Sequence, residues 1–352
     1  MPNRPKINLP KLSSKGMQEV VAVDLGTSKI KIIVTGKAGE ITKTVIADNP
    51  LGYSVPTKAT QVEPLANLLR DIFGQNKLPR TNLALAMPER HVSTQVISIP
   101  TLTDSELATS ISWQAQQYIP IPTEELVLNY QVLYRPEKKD AATTDMRVLL
   151  AGIKQDDLNN LTAAYKQASL EPTVLETESI ATLRHLPADL SNNASSLIIN
   201  FGASGVDTII VSGSELTMAM SHPTGSTMIT KALMATFNLT YEKAEEYKLA
   251  YGVDTRYGEG KIAQAIVPIL QNILGDIRNT ITFYNNKNPV SAINKIFLSG
   301  GGALMPGFPE LLAANLNIEI QPLDIFATLT GEIPENNQLI FGVAGGLTKR
   351  KG

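Results

Sequence analysis

Two short segments, one in each half of the chain, combine residue types that bind phosphate groups. Residues 24–28 read Asp-Leu-Gly-Thr-Ser, and residues 200–204 read Asn-Phe-Gly-Ala-Ser. Glycine lets backbone N–H groups approach phosphate oxygens closely, and the hydroxyl groups provide further donors. A carboxylate at the end of a strand, the position predicted for Asp24, can hold Mg²⁺ through bound water. Two such segments facing each other would hold a polyphosphate from both sides.

Both segments lie within a longer internal repeat. In each copy an apolar run, residues 21–23 or 197–199, is followed by a polar residue, an apolar residue, glycine, two small residues and then a second apolar run. In the first copy this second run alternates at Ile30, Ile32 and Val34, which is the two-residue period of a strand. Two hairpins of this kind in one chain predict two related domains.

Two further segments have residues suited to contacting a nucleoside. A predicted strand at residues 294–299 leads into three consecutive glycines, 300–302, whose backbone could lie flat against a base or a ribose. Glu245 and Lys248 are three residues apart on a predicted helix, so they share a face and could reach the ribose or adenine. A solvated ion pair within the helix is an equal alternative for these two residues.

The rest of the pattern predicts the elements that position these segments. Residues 1–18 are basic and rich in proline, so we expect a disordered basic tail. Residues 82–170 predict an α+β block, in which a capping box at 103–106 begins a helix. The predicted division is a first domain of residues 19–81, 171–193 and 325–352, an inserted block of 82–170, and a second domain of 194–324.

Composition excludes several classes of function. The chain has no cysteine and only three histidines, so it has little material for a zinc site or a Ser–His–Asp triad. Its formal net charge of −2 gives no basic field that would hold nucleic acid. We find neither an apolar run of about 18 residues, as a membrane-spanning helix needs, nor the apolar core of a signal peptide. These features predict a cytoplasmic protein.

Taken in order, the four segments resemble the superfamily of actin, sugar-kinase and heat-shock-chaperone ATPases. Residues 24–29 resemble its first phosphate motif, 200–204 its second, and 299–302 its adenosine motif. The helix carrying Glu245 and Lys248 resembles the nucleotide-binding helix of the FtsA branch. Block 82–170 resembles the inserted subdomain of the FtsA and PilM families, and a phrase typical of the PilM family surrounds Trp113, Gln114, Tyr118, Ile119 and Pro120. The resemblance covers about residues 19–350.

This resemblance implies an α/β, actin-like ATPase fold with two related domains, a nucleotide cleft and an inserted α+β subdomain. It implies binding of ATP or ADP with Mg²⁺, with Asp24 as the metal-binding residue. The residues it assigns to the nucleotide are Asp24, Gly26, Thr27, Ser28, Lys29, Asn200, Gly202, Ala203, Ser204, Glu245, Lys248, Gly300, Gly301 and Gly302.

Three positions bear on hydrolysis. Asn200 stands where the second phosphate motif normally has Asp, and Ala203 stands where a small hydroxyl residue or glycine is commoner. An amide brings no charge to Mg²⁺ or to water, so we expect nucleotide binding with weak or no hydrolysis. Glu178 falls near the place where actins position water, which makes it the candidate catalytic residue, with a structural or hinge acid as the alternative.

For a PilM-like protein the resemblance implies a scaffold of type IV pilus assembly. Such a scaffold would be cytoplasmic and peripheral on the inner face of the cytoplasmic membrane. It would bind the cytoplasmic tail of a PilN-like inner-membrane protein, near the pilus assembly ATPase machinery, and self-association is a further option. Residues 6–10 resemble the Ile-Asn-Leu-Leu-Pro docking segment of such partners, so the tail is either a mimic of the partner or only a basic tail.

Two other functions remain as alternatives. A cell-division filament scaffold of the FtsA type would be expected to end in an amphipathic membrane helix, whereas residues 348–352 are Thr-Lys-Arg-Lys-Gly. A small-molecule kinase on the same fold would need an aspartate beside the substrate hydroxyl, and none is convincingly placed. Both alternatives are therefore weaker than the pilus scaffold.

Overall fold

The computed structural model describes residues 19–136, 145–187, 195–213 and 215–350. The tail, with its candidate docking segment at residues 6–10, lies outside the described residues. The described chain forms two five-stranded sheets and one three-stranded sheet, with helices packed against them. This arrangement confirms the predicted α/β fold with two related domains.

The described elements follow one another in an order close to that predicted. The strands are β1 (Val20–Leu25), β2 (Lys29–Thr35), β3 (Ile41–Asp48), β4 (Leu83–Met87), β5 (Val92–Pro100), β6 (Leu126–Tyr134), β7 (Asp145–Lys154), β8 (Pro172–Thr177), β9 (Ser195–Phe201), β10 (Val206–Ser212), β11 (Glu215–His222), β12 (Ile293–Ser299) and β13 (Glu319–Pro322). The helices are α1 (Val62–Gln75), α2 (Asp104–Ala115), α3 (Gln155–Gln167), α4 (Glu178–Leu183), α5 (Ser226–Phe237), α6 (Tyr241–Tyr251), α7 (Lys261–Lys287), α8 (Phe308–Leu316) and α9 (Gly342–Thr348).

The first domain is built on a sheet with the strand order β3-β2-β1-β4-β8. Strands β1 to β3 are antiparallel, whereas β4 and β8 run parallel to β1. Helix α1 repeats apolar residues every three or four positions, at Leu65, Leu69 and Ile72 among others, so it buries one face against this sheet. Helices α4 and α9 lie against the other face of the sheet, between the two domains.

The second domain repeats this topology with the strand order β11-β10-β9-β12-β13. Its central strand β9 pairs antiparallel with β10 and parallel with β12, as β1 does with β2 and β4. Helix α7 is 27 residues long and buries one stripe against this sheet, while most residues on its other face are polar. Across the described ranges, no helix combines the length and the apolar character that crossing a bilayer requires.

The inserted unit is smaller than the predicted block 82–170. Strand β4 lies in the first sheet between β1 and β8, and Leu161 and Tyr165 of α3 pack in the core of that domain. The unit that projects from the first domain therefore spans residues 92–154, with the strand order β5-β7-β6 and helix α2 on one face. The predicted boundaries differ because an apolar strand such as β4 carries no mark of the sheet that it joins.

Candidate nucleotide-binding cleft

The turns of the two repeated hairpins open into one cleft of about 380 Å³ between the domains. Residues that were not predicted also line it, among them Lys31, Glu89, Arg90 and Asp207. The predicted residues that line the cleft are Asp24, Gly26, Thr27, Ser28, Lys29, Glu178, Asn200, Gly202, Ala203, Ser204, Glu245, Lys248, Gly300 and Gly301. Gly302 alone among the predicted residues is not part of its lining.

The carboxylate of Asp24 already has a partner in the first hairpin. Asp24 lies opposite Lys31 in the β1–β2 ladder, and its Oδ2 is 2.7 Å from Lys31 Nζ, with both side chains largely buried. Gly26 follows in a turn so tight that a Cβ at this position would lie 2.7 Å from the carbonyl oxygen of Lys29, so the turn requires glycine. Lys29 in turn pairs with Asp48 at 2.5 Å. A metal ion at Asp24 would therefore share the carboxylate with Lys31.

The donors of the cleft fit a hydrated Mg²⁺ better than a metal enclosed by protein ligands. Of the described residues, no three His, Cys, Asp or Glu side chains are grouped so that they could hold a metal ion. Mg²⁺ at nucleotide sites takes one or two carboxylates, and water and phosphate oxygens supply the remaining ligands. Asp24 is 4% exposed and lines the cleft, so it fits the carboxylate position in such a set.

The second hairpin holds a carboxyl group on the strand opposite residue 200. Asn200 lies across the ladder from Asp207, seven residues later, as Asp24 lies across from Lys31. The amide Nδ2 of Asn200 donates to Asp207 Oδ2 at 3.4 Å. Burial raises the pKa of Asp207 to about 6, although a hydrogen bond from Ser221 opposes the rise. The equal spacing of seven residues in both copies is the signal that could have identified Asp207.

Arg90 connects the two domains at this hairpin. It lies in a short turn after β4 of the first domain, and its guanidinium Nη2 donates to the carbonyl oxygen of Ser204 at 2.5 Å. The same nitrogen would lie 3.1 Å from a Cβ placed on Gly205, so the guanidinium packs against the turn between β9 and β10. Sequence reasoning missed Arg90 because this contact joins residues far apart in the chain.

Two acids stand on the floor of the cleft, Glu178 at the start of α4 and Glu89 in the short turn after β4. Glu89 is 5% exposed, and its Oε2 accepts a hydrogen bond of 2.7 Å from the Ser179 hydroxyl. Burial raises the pKa of Glu89 to about 7. Burial also raises the pKa of the candidate catalytic residue Glu178 well above its usual range, and the neighbouring charges of Asp207 and Asp24 add to this rise. These surroundings disfavour the ionised form of Glu178, which is the form that a general base needs.

Glu245 and Lys248 form a buried pair beside the cleft. Lys248 is 3% exposed, and its Nζ lies 2.7 Å from Glu245 Oε1 and 3.0 Å from the hydroxyl of Thr230. Burial lowers the pKa of Lys248. The lysine therefore holds the carboxylate of Glu245, and Glu245 is the more exposed of these two residues in the cleft lining.

The three consecutive glycines have different surroundings. Gly300 has φ +87°, and a Cβ on it would lie 2.5 Å from the carbonyl oxygen of Phe201. A Cβ on Gly302 would lie 2.5 Å from the ring of Phe201. At Gly301 the nearest atom would be a methyl carbon of Ile340 at 3.6 Å, which is an ordinary contact. Gly301 is therefore the position from which a side chain would extend into the cleft without disturbing the backbone.

Comparison with solved structures shows the same architecture in other proteins. A PilM–PilN type IV pilus biogenesis complex matches with a TM-score of 0.82 at 23% identity, covering 94% of this chain and 98% of that one. The ethanolamine utilization protein EutJ from Carboxydothermus hydrogenoformans matches with 0.58 at 15% identity, covering 96% and 91%. MreB5 of Spiroplasma citri bound to AMPPNP matches with 0.53 at 12% identity, covering 94% and 95%. At these identities the likeness shows the fold, which is actin-like.

The family model of the type IV pilus assembly protein PilM matches residues 22–344. This range includes both domains, the inserted unit and every segment that lines the cleft. The resemblance predicted from the phosphate motifs and from the inserted unit is thereby confirmed at the level of the family. The chain belongs to the PilM family of type IV pilus assembly proteins.

Proposed function

We propose that this chain is an ATP-binding scaffold of type IV pilus assembly. The observation that carries the nucleotide part is the position of the two repeated turns, which face each other across one cleft with Gly301 open beside them. In this proposal the turns at Gly26 and Gly202 hold the phosphates, and Glu245 and Gly301 border the nucleoside. Asp24 would hold Mg²⁺ through water, and the ion would neutralise part of the phosphate charge.

The acidic and amide side chains of the cleft lead us to expect that ATP hydrolysis is weak or absent. Asn200 is a neutral amide, which neither brings charge to a metal ion nor takes a proton from water. Burial and the charges of Asp207 and Asp24 raise the pKa of Glu178, which disfavours the ionised form that a general base needs. Asp207 is the carboxyl group nearest to Asn200 in the second hairpin, and its pKa of about 6 lets it ionise at neutral pH. We therefore expect the chain to bind nucleotide but to hydrolyse it slowly or not at all. Any residual hydrolysis would depend on the carboxylate of Asp207.

The scaffold part of the proposal rests on a second cavity, a groove of about 940 Å³. The groove lies between the face of the inserted sheet that α2 leaves uncovered and the edge strand β8 of the first domain. Its walls are mostly apolar and include Val127, Ala151 and Val174. An extended peptide can add to an edge strand and place alternate side chains in such a groove. We place the tail of a PilN-like inner-membrane protein here.

This assignment puts the chain in the cytoplasm, at the inner face of the cytoplasmic membrane, where the tail of the partner would hold it. The pilus assembly ATPase machinery would then be close by. Family membership supports this location, and so does the match to a structure of a PilM–PilN complex.

The groove and the cleft share a wall. Glu89 and Arg90 line the cleft, whereas Val92 and Thr94, on the strand that follows, line the groove. In the same way Thr177 lines the groove and the next residue, Glu178, lines the cleft. Two short stretches of chain therefore separate the two proposed binding sites.

Peptide binding to groove variants tests the scaffold assignment. We expect Ala151→Arg to weaken binding of a labelled peptide containing Ile-Asn-Leu-Leu-Pro by at least about tenfold, because the arginine fills the groove and places a charge in it. The matched control is Ala108→Arg on the exposed face of α2, which should bind the peptide like the wild type. Equal affinity of both variants and the wild type would show that the partner docks elsewhere.

A further inference from the structure

Of the four basic side chains that line the cleft, three are paired with carboxylates. Lys29 pairs with Asp48 at 2.5 Å, Lys31 with Asp24 at 2.7 Å, and Lys248 with Glu245 at 2.7 Å. The fourth, Arg90, has its described hydrogen bond to a neutral acceptor, the carbonyl oxygen of Ser204. Within the described ranges, no carboxylate oxygen lies within the 4.0 Å of an ion pair from its guanidinium. Among the described residues, Arg90 is therefore the one of these four side chains whose charge is not neutralised by an ion pair.

The charges around Arg90 indicate what it would bind. The floor of the cleft carries four carboxyl groups, those of Asp24, Glu89, Glu178 and Asp207. A highly charged phosphate group entering this region would be repelled unless a cation stood beside it. Lys31 already neutralises Asp24, and the charge of Arg90 acts on Asp207 without forming an ion pair with it. Arg90 is thus the cation available to an incoming phosphate.

The position of Arg90 favours contact with the terminal phosphate of a bound nucleotide. Arg90 packs on the turn after Ser204, beside the buried acids, whereas Glu245 and Gly301, the proposed nucleoside contacts, belong to other elements of the second domain. The planar guanidinium has five donors, so it can keep the Ser204 carbonyl and still make a bidentate contact with phosphate oxygens. The residue as a whole is exposed, so the side chain can reorient at little cost in packing.

We propose that Arg90 binds the terminal phosphate of a nucleoside triphosphate, so that the cleft distinguishes triphosphate from diphosphate. The proposal rests on the nucleotide binding proposed above and goes beyond it by assigning selectivity to one residue. Because Arg90 comes from the first domain and holds a turn of the second, a bound triphosphate would also tie the two domains together at this point.

Affinities for two nucleotides test the proposal. The full chain and its Arg90→Ala, Arg90→Gln and Arg90→Lys variants are titrated with Mg²⁺-ADP and with the Mg²⁺ complex of the non-hydrolysable imido analogue of ATP. The wild type should bind the triphosphate more tightly. Hydrogen bonds to charged groups contribute about 1.5–3 kcal/mol, so Arg90→Ala should weaken triphosphate binding about 10- to 100-fold. ADP affinity should change by less than about threefold.

The other variants separate phosphate binding from a purely structural role. Glutamine can still donate to the Ser204 carbonyl but carries no charge, so Arg90→Gln should also lose the discrimination, and Arg90→Lys should keep part of it. The matched control is Arg135→Ala, which removes an arginine that pairs with Asp104 in the inserted unit. This control should bind both nucleotides like the wild type. Melting temperatures without nucleotide check that each variant is folded, and Arg90→Lys remains usable if the others are not.

The contrary outcomes are distinct. Equal weakening of both nucleotides in Arg90→Ala would show that Arg90 only holds the turn between β9 and β10. Unchanged affinities, or a wild type that binds the two nucleotides equally, would overturn the assignment while leaving nucleotide binding in place. A wild type that binds neither nucleotide would overturn the proposed function, and the assignment of Arg90 with it.

Discussion

At the scale of single residues, the pair Asn200–Asp207 changes what a substitution at residue 200 should do. The sequence alone suggests that Asn200→Asp would restore a missing carboxylate and raise hydrolysis. The structure places the carboxyl of Asp207 3.4 Å from the Asn200 amide, so the new group would face another buried carboxyl. Two adjacent carboxyls cannot both ionise readily, and one of them retains a proton at raised pH.

We therefore expect the Asn200→Asp variant to lose at least about 1 kcal/mol of stability between about pH 5.5 and about pH 8, because the folded pair holds a proton that the unfolded chain has already released. The double variant Asn200→Asp/Asp207→Asn keeps one carboxyl and one amide, so it is the matched control and should recover most of the lost stability. Chemical denaturation at the two pH values measures this. Phosphate release by the double variant then shows whether a carboxylate at residue 200 raises hydrolysis. A single variant as stable as the double variant at pH 8 would contradict the expected repulsion.

Glu89 gives a second pH-dependent prediction. Its pKa is raised from 4.5 to about 7 in the folded protein, so the folded state retains a proton that the unfolded state has released between these values. The stability contributed by this group therefore falls as the pH rises through that window. Relative to Glu89→Gln, the wild type should lose about 2 kcal/mol between about pH 5.5 and about pH 8.

Denaturation of the nucleotide-free protein at both pH values measures this difference. Glutamine can still accept the hydrogen bond from the Ser179 hydroxyl, so the substitution changes mainly the charge. Glu335→Gln, at an exposed position, is the matched control and should show no such difference. A stability difference between Glu89→Gln and the wild type that does not depend on pH would contradict the raised pKa.

At the scale of elements, the turn after β12 separates a binding glycine from structural ones. Gly301→Leu should place its side chain in the cleft and abolish measurable nucleotide binding while the protein stays folded, because its Cβ meets only an ordinary contact. Nucleotide titration together with a melting curve measures both effects. Gly74→Leu, where a Cβ meets no atom within 4 Å, is the matched control on α1. Unchanged affinity in Gly301→Leu would remove the glycine turn from the site.

The element scale also shows what could be predicted from the sequence and why. The two hairpins were predictable because a phosphate-binding turn requires glycine and hydroxyl residues at fixed spacing after an apolar strand. Lys31 and Asp207 were missed because they bear on the site through strand register, which places them opposite Asp24 and Asn200. The sheet membership of β4 was missed because five buried apolar residues fit any parallel sheet.

At the scale of the whole molecule, the order of the segments predicted more than any one motif. Four weak motifs in the right order along the chain, with an insertion after the first motif, indicated the actin-like fold and the PilM family. The comparisons confirm both. The order of these segments along the chain gave no information on contacts between the domains. Arg90 on Ser204, and Arg147 on Glu215 at 2.6 Å, join parts of the chain that only the folded structure brings together.

The wall shared by the groove and the cleft has a thermodynamic consequence. Around a closed cycle of nucleotide and peptide binding, the factor by which one ligand changes the affinity for the other must be the same in both directions. Because Glu89 and Arg90 face one cavity and Val92 and Thr94 face the other, we expect this factor to differ from one. Titrating the peptide with and without saturating ADP, and ADP with and without saturating peptide, should give two equal factors. If both factors equal one, the shared wall transmits no change, and neither the peptide nor the nucleotide alters the affinity of the protein for the other.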